Sequence, residues 1–417
     1  MKLLIVADDL SGAADCAVGF AAAGHRAVVT LDAANAADCA TADVVAVDTD
    51  TRRHASADAA RHTVAAYVAL HATGRKLYKK IDSTLRGNWA IEVAALQPLA
   101  GLAIVAPAFP ATGRTLVGGR VFVNGVPLED TDTWRLENDG RRADVAAMLA
   151  DAGLAAASLD AEALRGDPET LAARIASITA SGAQAVVVDT QTEEALHVLA
   201  QATIDSDGAW FWVGSGGLAR EIASLSRRDS AAETSGEHHP GAPILTLVGT
   251  LSAVGDKQCA MLREHGGVNE RVVPPAMLRE GPRHGDWLTW QAQIGALLSH
   301  GEDLLLRIGR DDAFDPAEGA RLSQALAELV EPHVTKTGGL IATGGETARA
   351  LLSVAGIGAL QLVDEVEAGV AIARPLGEAR SHRPGIVTKA GAFGTDRALY
   401  AAWLRLRSTD DRAAATR

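Results

Sequence analysis

The chain has 417 residues, 48% hydrophobic and 22% charged, a composition too apolar for disorder and long enough for two or three domains with cores of their own. Lys and Arg number 39 against 52 Asp and Glu, and a net charge of −13 without a basic run argues against sequence-independent nucleic-acid binding. Three widely spaced cysteines, Cys16, Cys39 and Cys259, exclude a disulfide scaffold and a zinc knuckle and fit a reducing cytoplasm.

The opening run MKLLIVADDL reaches two carboxylates too early for a signal peptide, and no apolar run is long enough to span a bilayer. A cytoplasmic protein without membrane contact is expected. Leu3–Ala7, Ala27–Leu31, Val44–Val47, Ala103–Ala106, Ala185–Val188 and Trp210–Val213 read as buried strands. Helical spacing marks Ala13–Ala23, Ala57–Leu70, Glu169–Ile178 and Glu193–Ala202 between them. The segment Arg227–Pro243, RRDSAAETSGEHHPGAP, is polar and aperiodic and reads as an exposed linker. Its His238-His239 pair has no further ligand at useful spacing, so solvent rather than metal is expected there. Beyond it, Ile244–Val248, Leu304–Ile308, Leu340–Ala342 and Ile386–Thr388 read as strands, each before a helical stretch. Strands apolar on both faces and alternating with helices predict an α/β protein. Two domains, 1–228 and 243–417, joined by a linker at 229–242, are each expected to hold a mainly parallel sheet flanked by helices, with the active site in the cleft between them.

In open α/β sheets, ligands bind beyond the carboxyl ends of strands. Asp8 and Asp9 follow the first predicted strand, where paired carboxylates can orient hydroxyls; either Asp9 or Ser11 alone would serve as a helix cap. The densest polar motif is Lys79-Lys80-Ile81-Asp82-Ser83-Thr84-Leu85-Arg86-Gly87-Asn88. Arg86 offers a planar fork to a carboxylate, Lys80 a mobile charge, and Ser83 and Thr84 partners for hydroxyls. Arg52 and Arg53 end the segment Asp48–Arg53, and Pro107–Thr115, with Arg114, ends another strand. Four such loops on neighbouring strands suit an anionic, hydroxylated substrate. Asp82, ahead of Asp8 and Asp9, is the first candidate for accepting or aligning the hydroxyl proton; the rival reading makes it an ion-pair partner of Lys80 or Arg86.

After the linker, three strand–helix turns are rich in glycine or hydroxyls: Gly249–Lys257 with Ser252, Thr343–Thr347 with Gly344, Gly345 and Glu346, and Lys389–Asp396 with Gly391. The first lacks the spacing of GxxxxGK[ST]. Amides at helix N-termini still suit phosphate, and three such turns point to a nucleotide. They argue against a nucleotide-free isomerase or aldolase and against a non-catalytic sensor.

ADDLSGA at Ala7–Ala13, KKIDSTLRGN at Lys79–Asn88, APAFPATGRT at Ala106–Thr115 and VFVNGVPL at Val121–Leu128 resemble the four-carbon acid sugar kinase family. VGTLSAV, TGGET and TKAGAFG, at Val248–Val254, Thr343–Thr347 and Thr388–Gly394, are similar to its second half. The resemblance implies a sugar-binding domain, a nucleotide-binding domain and ATP-dependent phosphorylation of the 4-hydroxyl of a tetronate such as D-threonate, D-erythronate or a 3-oxo-tetronate. By it, Ser252, the Gly344–Thr347 loop and Gly391 bind ATP. Arg52, Arg53, Lys80 and Arg86 are expected to neutralise the substrate carboxylate, with the γ-phosphate as a second target. Mg2+ is expected to arrive on ATP rather than in a protein cage, and a homodimer is the expected assembly. The stretch Glu129–Arg142 departs from the family in lacking proline, which leaves the particular tetronate open.

Overall fold

The computed structural model describes residues 1–35, 39–138, 140–206, 208–228, 242–313, 315–377, 382–391 and 393–407. Two compact units divide the chain at 230/231. Most of the expected linker, with its histidine pair, lies outside the described residues. Among those described, no helix is long and apolar enough to cross a membrane.

The first unit contains β1 (Leu3–Ala7), β2 (Ala27–Thr30), β3 (Val44–Asp48), β4 (Lys76–Lys80), β5 (Leu102–Ala106), β6 (Arg114–Val117), β7 (Arg120–Val123), β8 (Val126–Pro127), β9 (Ala156–Leu159), β10 (Ala185–Val188) and β11 (Trp210–Gly214). Eight of them form a parallel run in the order β2-β3-β1-β4-β11-β5-β10-β9. The other three make a small antiparallel sheet. Helices α1 (Leu10–Ala22), α2 (Ser56–Leu70), α3 (Trp89–Ala100) and α4 (Gly216–Leu225) follow β1, β3, β4 and β11. Every residue of β1 is fully buried. A run of Leu, Ile, Val and Ala hidden on both faces is what a sheet covered by crossover helices requires, and each large side chain so buried contributes about 1.5–3 kcal/mol.

The second unit contains β12 (Ile244–Val248), β13 (Asn269–Val273), β14 (Leu304–Ile308), β15 (Gly339–Thr343), β16 (Ala359–Glu367), β17 (Val370–Pro375) and β18 (Gly385–Lys389). Their order is β13-β14-β12-β15-β18-β17-β16, parallel as far as β18 and antiparallel across β17 and β16. Helices α5 (Ala253–Gly266), α6 (Gly345–Val354) and α7 (Ala398–Arg407) follow β12, β15 and β18. The core packs Ile244, Leu262, Ile341, Val387 and Leu399 together.

Every strand expected from apolar runs is present, with ends shifted by at most one residue. Three of those not expected are rich in charged residues. β4, KLYKK, buries Lys79 completely because Glu92 of α3 neutralises it at 2.7 Å. β13 keeps two exposed residues, and β16 runs into Asp364, Glu365 and Glu367. β11 lies between β4 and β5, so the four polar loops expected on adjacent strands occupy β3, β1, β4 and β5 with one strand intervening.

Candidate functional site

Asp8 and Asp9 leave the carboxyl end of β1. Asp9 is the N-cap of α1, with extended backbone and Oδ1 accepting from the Gly12 N–H at 3.2 Å. Asp8, 1% exposed, accepts from Arg52 Nε at 2.9 Å and Nη2 at 2.8 Å, and the same Nη2 donates to Asp9 Oδ1 at 2.7 Å. Burial works against the Asp8 charge, but Arg52, with Lys79 and Lys80, holds the carboxyl below its ordinary range. Among the described residues no donor reaches Asp9 Oδ2.

Lys80 ends β4 and is buried. A Cβ at Gly12 would lie 2.8 Å from its Nζ and 2.5 Å from Asp9 Oδ1, so the first turn of α1 accommodates the ammonium only because residue 12 has no side chain. Burial opposes the Lys80 charge, and Cys16, Asp9 and Asp8 more than offset it, raising its pKa. Asp82 accepts from Arg86 Nε and Nη2, both at 2.9 Å, and from the amide and hydroxyl of Thr84. Burial again opposes ionisation, yet Arg86, Arg52 and Lys80 carry the Asp82 carboxyl well below the carboxylate range. Ser83 and Thr84 are buried in this turn, and Gly87 packs against Asp8 and Arg52.

The structure therefore gathers Asp8, Asp9, Arg52, Lys80, Asp82 and Arg86 into one electrostatic group, three carboxylates against three cations. Arg53 is exposed on the turn beyond Arg52. Arg114, half-buried and in the fields of Asp82 and Arg86, brings the cations to four. That net positive charge matches a monocarboxylate.

Support for Arg52 comes from α3. Glu92 and Lys79, both fully buried, pair at 2.7 Å. Thr51 Oγ1 donates to Glu92 Oε1 at 2.5 Å, while Asn88 Nδ2 donates to the carbonyls of Thr51 and His54 at 3.0 and 2.9 Å. Sequence reasoning did not single out Glu92, because a lone glutamate in an apolar helix shows no partner until β4 and the β3 loop are placed beside it. In the stretch after β8, Glu129 pairs with Arg120, and the buried Trp134 donates from Nε1 to the Arg141 carbonyl at 2.8 Å.

The second unit brings its three turns together. Ser252 caps α5, its Oγ accepting from the Gly255 N–H at 3.1 Å. Gly344 caps α6 with φ +100°, a backbone open to glycine alone, and Gly345 is the first helical residue. A Cβ on Gly391 would lie 3.2 Å from Thr250 Oγ1 and 3.9 Å from the Gly344 Cα; one on Gly249 would strike Thr347 Oγ1. Thr347 is buried and shares a hydrogen bond with Ser323 at 3.0 Å, while Glu346 is half-buried in the first turn of α6. Close backbones, small residues and two helix N-termini offer amides and hydroxyls to an anion. Beside the Ser252 turn, a cavity of about 400 Å³ is lined by Leu251, Cys259, Val272 and Ile308 and rimmed by Asp256 and Arg307.

Residues 3–222 match the family described as the sugar-binding N-terminal domain, and residues 245–399 the nucleotide-binding C-terminal domain. The chain belongs to the four-carbon acid sugar kinase family. It is a nucleotide-dependent kinase of sugar acids. It is 56% identical to the D-threonate kinase of Cupriavidus necator over 409 residues, 97% of each chain. It is 30% identical to the 3-oxo-tetronate kinase of Methylobacterium radiotolerans, over 94% of this chain and 96% of that one. A solved Haemophilus influenzae protein, 20% identical, has the same fold, with a TM-score of 0.71 covering 97% of this chain and all of that one.

Proposed function

We propose that this chain is a D-threonate kinase, transferring the γ-phosphoryl group of ATP to the 4-hydroxyl of D-threonate. The 56% identity to the Cupriavidus necator enzyme along 97% of both chains carries this reading over the other tetronates. The charge balance at the carboxyl ends of β1, β3 and β4 supports it. Arg52 and Arg86, each held along one edge by a carboxylate, are rigid forks for the substrate carboxylate, with Lys80 and Arg114 adding charge. Arg53, exposed, would act at the rim. Ser83 and Thr84 would complete the pocket for hydroxyls.

Asp9 is the better proton acceptor. Its side chain is partly exposed and its hydrogen bonds among the described residues use Oδ1, whereas Asp82 and Asp8 have both oxygens committed to guanidinium groups and are held below the range in which a carboxylate is an effective base. Of the two readings weighed for Asp82, its surroundings favour the ion-pair partner that fixes Arg86. Ser252, Gly344, Gly345, Glu346, Thr347 and Gly391 would hold ATP through amides and hydroxyls. That donor set suits phosphate oxygens bringing their own Mg2+, whose charge offsets theirs, better than a protein-bound ion. Phosphoryl transfer needs the acceptor oxygen in line with the γ-phosphorus, so both ligands must share one closed cleft during turnover.

The test is ADP release at saturating MgATP across D-threonate, D-erythronate and a 3-oxo-tetronate, with phosphorus–proton coupling locating the product phosphate. D-threonate is expected to give a kcat/KM at least tenfold above the others and a phosphate on C4. No turnover with D-threonate, or a preference for either alternative, would overturn the assignment.

A further inference from the structure

We propose that Lys389 is the positioning residue of the nucleotide-phosphate loop: its buried ammonium draws the loop carbonyls inward and so aims the loop amides at the ligand. This rests on the reading that the Gly344 and Gly391 turns hold nucleotide phosphate.

Lys389 ends β18 and is fully buried, so it does not present its charge at the surface as the partly exposed Arg86 does. Its Nζ donates to the carbonyls of Ala390 at 2.8 Å, Gly391 at 3.1 Å and Phe393 at 2.8 Å. Those bonds use all three ammonium protons. In a trans peptide the N–H points opposite to the preceding C=O. The Gly391 and Gly394 amides therefore point away from Lys389. Gly391 in turn packs on Thr250 and Gly344, the other two turns of the group. The Lys389 carbonyl accepts from the Gly344 N–H at 2.8 Å, so one residue ties the loop after β18 to the cap of α6. Gln258 of α5 braces the far side, donating to the Phe393 and Thr395 carbonyls at 3.1 and 2.8 Å.

The bonded partners of the ammonium are neutral. Glu367 of β16 faces it, but both its oxygens accept from Thr395, through the amide at 2.7 Å and the hydroxyl at 2.9 Å. Cys259 of α5 is the other titratable group in its field. A cation behind the loop with no carboxylate in contact among the described residues is matched by a phosphate in front of it. Burial lowers the Lys389 pKa to about 8, against the pull of Glu367 and Cys259. Bound phosphate favours the charged form, so MgATP binding takes up protons at and above that pH, and affinity falls as pH rises through it.

Calorimetric titration of the full chain with MgATP, in buffers of different ionisation heat, tests this. At pH 8.5 the wild type is expected to take up a fraction of a proton, and its affinity is expected to fall several-fold between pH 7.5 and 9.5. Lys389→Met is expected to lose at least tenfold in MgATP affinity at pH 7.5, to show no such uptake, and to keep D-threonate affinity within twofold. An unchanged MgATP affinity in Lys389→Met, or no proton uptake by the wild type, overturns the proposal. If Lys389→Met does not fold, wild-type uptake alone decides. Gly391→Val separates the two levels: weakened MgATP binding there with Lys389→Met unchanged sinks the role of Lys389 and keeps the loop reading, whereas no effect in either sinks the loop reading.

Discussion

The two units of this kinase are built to hold anions by opposite means. In the first, the proposed site offers side-chain charges, and its two buried-edge guanidiniums are each locked by a carboxylate: Arg52 by Asp8, Arg86 by Asp82. In the second, the proposed site offers glycine backbones, hydroxyls and helix N-termini, and Lys389, proposed to organise them, is buried and bonded to the loop carbonyls. A sugar acid is recognised by one planar carboxylate and hydroxyls in a fixed order, which demands directional forks. Phosphate oxygens are alike and accept from any amide. The first site should therefore be sensitive to charge and the second to volume.

The largest expected effect sharpens the first half of that contrast. Asp9→Asn is expected to lower kcat by about 10²–10⁴, the usual loss of a general base, while Asp82→Asn raises the D-threonate KM and leaves kcat within about tenfold. Steady-state kinetics at saturating MgATP checks both, and a larger kcat loss in Asp82→Asn would return the base to Asp82. Next comes volume and backbone. Gly344→Ala forces a side chain into φ +100°, a strain of about 1–3 kcal/mol, so MgATP affinity should drop roughly 10- to 100-fold (about 1.4 kcal/mol per decade) with D-threonate affinity unchanged. Calorimetry of each ligand alone would break the comparison if both fell together.

Arg86→Lys keeps the charge but loses the fork. Roughly tenfold weaker D-threonate binding is expected, with MgATP binding within twofold, and equal loss of both ligands would point to the transferred phosphate. The smallest effect is on stability. Asp8 and Asp82 are held below the ordinary carboxylate pKa of about 3.9. Their stabilisation is complete above that value and lost as pH falls through their lower folded values. Thermal unfolding followed from pH 6 to pH 2 should show a steeper acid decline in the wild type than in Asp82→Asn; parallel curves would contradict it.

Much of this was legible from the chain alone, for a physical reason. Strands buried on both faces, such as β1 and β15, are mainly apolar, and their turns announce themselves as Asp-Asp or Gly-Gly. Asp9 as a cap needs only its own helix. What stayed hidden depends on partners far apart in sequence. Lys79 reads as part of the densest polar motif, and its role as a buried ion-pair partner shows only when Glu92 is placed 2.7 Å from it. Arg52 and Arg53 are equivalent as letters, and only the β3 turn decides that one binds Asp8 while the other faces solvent. For Asp82 the base and ion-pair readings both stayed open in the sequence, which does not show that Arg86, four residues on, spans both its oxygens. Lys389 sat inside a recognised glycine turn with nothing to say that its ammonium points back into it.

Hydrogen–deuterium exchange of the full chain with one ligand at a time tests the division of labour most directly. D-threonate alone should protect the segments around Asp8–Gly12, Thr51–Arg53 and Lys80–Asn88 and leave the Gly249–Ser252, Gly344–Thr347 and Lys389–Gly391 turns unchanged, with MgATP giving the reverse. Protection of the glycine turns by D-threonate alone, or of the Asp8–Gly12 segment by MgATP alone, would contradict the account.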